Sequence, residues 1–216
     1  MSFASLGVGT LINICSYRYL KSNEPSTAAP IFYWQFCLLM QIPEGTVWVQ
    51  LGQGASIEIM SHVAMVLNVC QPVALLASIW FGQNVRTLHA PTAVFMYLLL
   101  LATQFNRVWE QSRDISPERD CPHLILGYWD VSTAAIYMCS SLVCFLSIPN
   151  KFWALVNGLI FFCTLGIGAI AYPCAVASMW CWMIAGAGII LVLCELVKKK
   201  LENGKEPLEH ELPPRV

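Results

Sequence analysis

Among the ionisable side chains that stand inside runs of apolar residues in this chain, four are singled out: Glu44, Glu58, His62 and Asp130. A charge in an apolar medium costs several kcal/mol unless it is paired, hydrated or neutralised, so such residues mark either function or a structural pairing. Glu58 and His62 are four residues apart, which on a helix places them on one face, one turn apart. His123 and Asp130 are seven apart and again share a face. Gln41, Gln104, Asn106, Trp180 and Trp182 are expected at similar depth, so the set describes a polar pocket lined with aromatic rings. Two chemistries suit it. Neighbouring carboxylates raise one another's proton affinity and a histidine can take up the proton. Gln41, Glu44, Glu58, His62, Gln104, His123, Asp130 and Trp180 therefore fit the binding of a small ligand, an ion or a proton. Imidazole and carboxylate are also ordinary zinc ligands, which makes His62, His123, Glu58 and Asp130 metal candidates. Glu-x-x-x-His, however, lacks the second histidine of a zincin-type motif. The plainer alternative is that these groups hydrogen-bond across helices to fix packing, each pair adding roughly 0.5–2 kcal/mol.

Asn68 and the pair Gln71-Pro72 form a second polar set, deeper in its helix. A proline frees the carbonyl four residues before it, that of Asn68, and Gln71 is expected to satisfy groups exposed at the kink. Eight of the ten cysteines (Cys15, Cys37, Cys70, Cys139, Cys144, Cys163, Cys181 and Cys194) fall in apolar stretches, where cysteine behaves as a small hydrophobe. Cys121 and Cys174 are left on one surface, and a disulfide between them is open if that side faces an oxidising compartment. Every lysine lies in a connection or the tail, so the chain offers no Schiff base for retinal inside a bundle.

The elements that carry these residues follow from composition. Of 216 residues 57% are hydrophobic and 12% charged, against about 25% charged in a soluble domain, so the fitting solvent is a bilayer. About 20 apolar residues cross it as a helix. The runs Phe3 to Tyr19, Ile31 to Leu51, Ile57 to Phe81, Pro91 to Val108, Leu124 to Ile148, Phe152 to Tyr172 and Cys174 to Val197 predict seven spans, the second interrupted by Pro43. The first run has no basic residue ahead of it, unlike a cleaved signal peptide, and reads as a retained span. The expected fold is an all-α integral membrane bundle over residues 1–200, followed by a polar tail, 201–216, too rich in charge and proline to pack.

Basic residues mark the cytoplasmic side. Arg18 and Lys21, Arg86, Lys151, and Lys198 to Lys200 fall in alternate connections and the tail, whereas Arg107, Arg113 and Arg119 are offset by Glu110, Asp114, Glu118 and Asp120. The N-terminus is therefore expected outside and the C-terminus inside, with the ionisable residues in the outer half. Gly158, Gly166, Gly168, Gly186 and Gly188 are small residues at which helices can approach. A net charge of −1 and one short lysine cluster give no nucleic-acid surface.

Met40-Gln41-Ile42-Pro43-Glu44 with Trp48, Gln71-Pro72, His123-Leu124 with Trp129, and Ser178-Met179-Trp180-Cys181-Trp182 occur in that order. In these motifs the chain resembles a family of uncharacterised polytopic membrane proteins from large DNA viruses, protists and fungi. It departs from the pattern at Ser2-Phe3-Ala4-Ser5, where the family opens with Cys-Trp-Ser, and at Pro122, where a glycine is usual. The resemblance implies a fold and signature positions, among them Gln41, Glu44, Gln71, His123, Trp180 and Cys181, without implying an activity.

Three functions compete. A receptor, channel or transporter-like protein would use the pocket for a small ligand, ion or proton; this reading, which is not enzymatic, is preferred. A structural or assembly subunit would pair the polar groups internally and offer a helix surface to other subunits. An intramembrane hydrolase would hold zinc at His62, His123 and the carboxylates.

Overall fold

The computed structural model describes residues 2–23, 25–53, 58–83, 89–111, 116–117, 124–125, 131–171 and 176–203. Nearly all of them are helical: α1 (Ser2–Asn23), α2 (Pro25–Leu38), α3 (Gln41–Gln53), α4 (Glu58–Gln83), α5 (His89–Gln111), α6 (Val131–Leu146), α7 (Lys151–Ala171), α8 (Val176–Met183) and α9 (Ala187–Asn203). Among the described residues three segments are long and apolar enough to cross a membrane, Glu58–Trp80, Lys151–Ala171 and Trp180–Asn203, while Val131–Leu146 is apolar but shorter. Each of the seven apolar runs carries helix.

Two runs are not single helices. Between α2 and α3 the chain turns at Leu39 and Met40. Pro43 has no N–H and its ring would clash with the Leu39 carbonyl in a continuous helix. That carbonyl accepts from Ile42 N instead, at 3.0 Å, and Leu39 N and Met40 N donate three residues back, to Phe36 O at 3.0 Å and Cys37 O at 3.2 Å. The tighter hydrogen-bond pattern is what a broken helix uses to keep its amides paired. The second interruption is a 3-10 turn, Ile184–Gly186, between α8 and α9.

The fifth run departs from expectation at its start. Among the described residues the helix of this run, α6, covers Val131–Leu146, and Leu124–Ile125 (β2) is not helical but pairs antiparallel with Ser116–Pro117 (β1). At the other end, α9 runs three residues past Lys200, to Asn203; residues 204–216 lie outside the described residues.

Helix α2 packs against both α1 and α4; α4 also meets α5 and α6; α6 meets α5 and α7; α7 meets α8 and α9; and α9 returns to α1. Most of α2 from Ala28 to Leu38 is buried, with Tyr33, Trp34, Cys37 and Leu38 fully so, as expected of a helix that is apolar all round. Helix α1 lies close to the last helical segment. A Cβ on Gly9 would stand 3.1 Å from Ala185 Cβ, and one on Gly188 would stand 2.8 Å from Asn13 Oδ1 and 2.9 Å from Ser16 Oγ. Residue number rises together along both, so α1 and α9 run parallel.

Candidate functional site

The polar centre of the bundle is built on the two interrupted helices. Leu38, at the end of α2, and Ala185, in the 3-10 turn, both pack on Gly9 of α1, so the two interruptions meet at one place. Gln41 opens α3 just beyond the first. It is fully buried, and among the described residues neither its amide nitrogen nor its oxygen has a hydrogen-bond partner. Glu44, one turn later and half-buried, lies within electrostatic reach of the Cys181 thiol on α8, as does Cys37 on α2. Trp180, buried, donates from its indole to Thr164 Oγ1 at 2.9 Å.

Beside this centre the Tyr137 hydroxyl donates to Gln71 Oε1, and Gln71 Nε2 donates to Asn68 Oδ1 at 3.0 Å. Gln71 thus links α4 to α6, a larger role than satisfying the kink at Pro72, although the Asn68 contact agrees with that reading. The Tyr33 hydroxyl lies beside Tyr137 and Cys37 with no hydrogen bond of normal geometry. On the α7 side, Trp34 Nε1 donates to Asn157 Oδ1 and Asn157 Nδ2 donates to the Trp153 carbonyl, both at 2.9 Å. Rings of Tyr137, Phe161 and Trp180 close the space between these groups, with centroids 5.2–6.4 Å apart.

The remaining candidates make their contacts elsewhere. Glu58 is exposed on the first turn of α4, where a carboxylate is favoured by the helix dipole. His62 donates from Nδ1 to the Glu58 main-chain carbonyl at 2.8 Å, so Nε2 is left as the acceptor; that atom is buried, with no partner among the described residues. Its ring stacks on Trp109, centroid to centroid 3.9 Å. Gln104 accepts from Arg107 at 2.6 Å, and Arg107 also reaches Ser132 Oγ at 3.2 Å. Asn106 is exposed and Trp182 is 44% exposed. His123 and Asp130, and with them their convergence on Glu58 and His62, lie outside the described residues, as do Cys121 and Cys174. Among the described residues no three of His, Cys, Asp and Glu come together as a metal-binding group.

Sequence reasoning placed Gln41, Glu44 and Trp180 in the site but passed over Tyr33, Trp34, Tyr137 and Asn157. Asn157 had a legible signal, a lone amide in an otherwise apolar helix. It also passed over Glu195, buried on α9, with Lys198 Nζ and Lys199 Nζ at 4.0 and 3.9 Å. Outside the core, an open groove of about 350 Å³ runs between α5 and α6, and another of about 330 Å³ lies at the start of α5 and α7.

Comparison with known proteins finds no family profile, curated protein or solved structure that matches this chain.

Proposed function

We propose that the chain is a seven-span integral membrane protein, N-terminus outside and C-terminus cytoplasmic, whose buried polar centre binds a small ligand, an ion or a proton, as in a receptor, channel or transporter. The observation that carries the binding reading is Gln41, a fully buried primary amide with both ends unpartnered, seated where two helix interruptions meet. Broken helices at membrane depth are tolerated where they are enclosed by protein or line a cavity. Paired discontinuous helices near the midplane are where many transporters hold substrate or coupling ion. Glu44 supplies the exchangeable charge one turn away.

Two independent features support the seven spans. Helices α1 and α9 run parallel, which requires an odd number of crossings if both cross, and Lys and Arg alternate between connections as orientation demands. We also propose membership of the polytopic family of large DNA viruses, protists and fungi. The motif residues Gln41, Glu44, Gln71, Trp180 and Cys181 are those gathered at or beside the centre, a grouping expected of signature positions in one site.

The test is a current measured in proteoliposomes holding the full chain across a step in pH, and separately across a step in Na⁺ or K⁺. A current that Glu44→Gln abolishes is the expected result. A current the variant leaves intact, or none under any step, overturns the ion and proton reading.

A further inference from the structure

The two surface grooves share a residue. The one between α5 and α6 is lined by Ala93, Met96, Leu100, Ala135 and Cys139 among others, and by Val143; the other is lined by Val143 as well, with His89, Ser147 and Lys151 at its mouth. They adjoin at Val143 and follow one another along α6, mostly apolar, with Lys151 at one end. Small side chains on both helices, Ala93, Ala135 and Cys139, leave the space open where larger ones would close the seam. Between Ser147 and Ala135 the grooves span twelve residues of α6 and its end, about 18 Å at 1.5 Å per residue. One leaflet of a bilayer has a hydrocarbon depth of about 15 Å.

We infer that these grooves together bind an anionic phospholipid of the inner leaflet, its headgroup at Lys151 and His89 and one acyl chain between α5 and α6. The inference rests on the membrane-spanning reading, which puts Lys151 at the cytoplasmic face where anionic lipids reside. Charge complementarity selects the occupant. A partner helix would fill the apolar portion but would leave the Lys151 end unused, and a free phosphate would use Lys151 and leave the apolar portion empty. Among the described residues Lys151 Nζ makes a long contact to the Leu146 carbonyl, 3.4 Å, so it can turn to a headgroup at little cost.

The experiment is native mass spectrometry of the full chain, released from nanodiscs made with equal phosphatidylcholine and phosphatidylserine. Phosphatidylserine should be retained in excess, and Lys151→Gln should reduce that excess by about fivefold, the effect of one basic residue at an anionic surface, while Lys151→Arg keeps it. Ala135→Phe, which fills the groove, should abolish retention of either lipid, and phosphatidylserine with a photoreactive acyl chain should label α5 and α6 in the wild type. Equal retention of the two lipids, full selectivity in Lys151→Gln, labelling elsewhere, or displacement by glycerophosphoserine, which has no chains, overturns the inference. So does recovery of a dimer that Ala135→Phe makes monomeric, since a second copy would then occupy the groove. Failure of the membrane reading is seen separately, as release of the chain from membranes by alkaline carbonate.

Discussion

At the scale of residues, the informative contrast is between two buried glutamines. Gln71 is satisfied at both ends, by Asn68 and Tyr137, whereas Gln41 is satisfied at neither. Removing Gln71 takes a hydrogen bond from each of two buried partners, and losing a buried hydrogen bond costs roughly 0.5–1.5 kcal/mol. Removing Gln41 strands nothing and relieves the burial of an unpaired amide. Gln71→Leu is therefore expected to lower the melting temperature in detergent, and Gln41→Leu to raise it while it abolishes the ion or proton response in vesicles. Thermal unfolding of the two variants side by side checks the sign; a destabilised Gln41→Leu would mean that the amide is held by the fold after all.

At the scale of elements, the close approach of α1 to the 3-10 turn governs how the interrupted helices meet. Gly7 and Gly9 sit two residues apart on the same helix with opposite surroundings: a Cβ on Gly7 meets nothing within 4 Å, and one on Gly9 meets Leu38 and Ala185, including the Ala185 Cα at 3.3 Å. Leu38 can swing aside, but the Ala185 backbone cannot. Gly9→Ala is expected to push the helices apart at a cost of about 1–3 kcal/mol, as overpacking does. Gly7→Ala should stabilise by up to about 1 kcal/mol through helix propensity alone. Chemical denaturation of both variants in the same detergent measures the difference, and equal effects would show that the α1 contact does not set the geometry of the centre.

At the scale of the whole molecule, the parallel course of α1 and α9 ties topology to packing. If, as proposed, three crossings follow the fourth-to-fifth connection, a tag at Asp114 and one at the C-terminus should label from opposite sides of a sealed membrane, the C-terminal tag from the cytoplasm. Tags accessible from one side would remove a span from the count and invert the depth assigned to Glu44 and Gln41. The proposed orientation would place Arg18, Lys21, Lys151 and Lys198 to Lys200 together at the inner face, the charge distribution that positive-inside insertion favours.

Composition and periodicity by themselves determined that the chain is helical, where its seven apolar runs lie, and that Pro43 would disturb the second, because the lengths of apolar runs and the missing proline N–H are local properties. They also singled out Gln41, Glu44 and Trp180, since a polar group in an apolar run is visible without knowing its neighbours. Which of those groups find partners is decided only by the tertiary structure. Glu58 and His62 share a helical face as their spacing requires, yet the imidazole bonds the Glu58 carbonyl and stacks on Trp109, a choice made by α5 and unseen from α4 alone. The sequence assigns Gln41 to the pocket and Gln71 to the kink at Pro72, but not which of the two amides finds partners. Packing against Tyr137 satisfies one, and the meeting of two broken helices leaves the other bare.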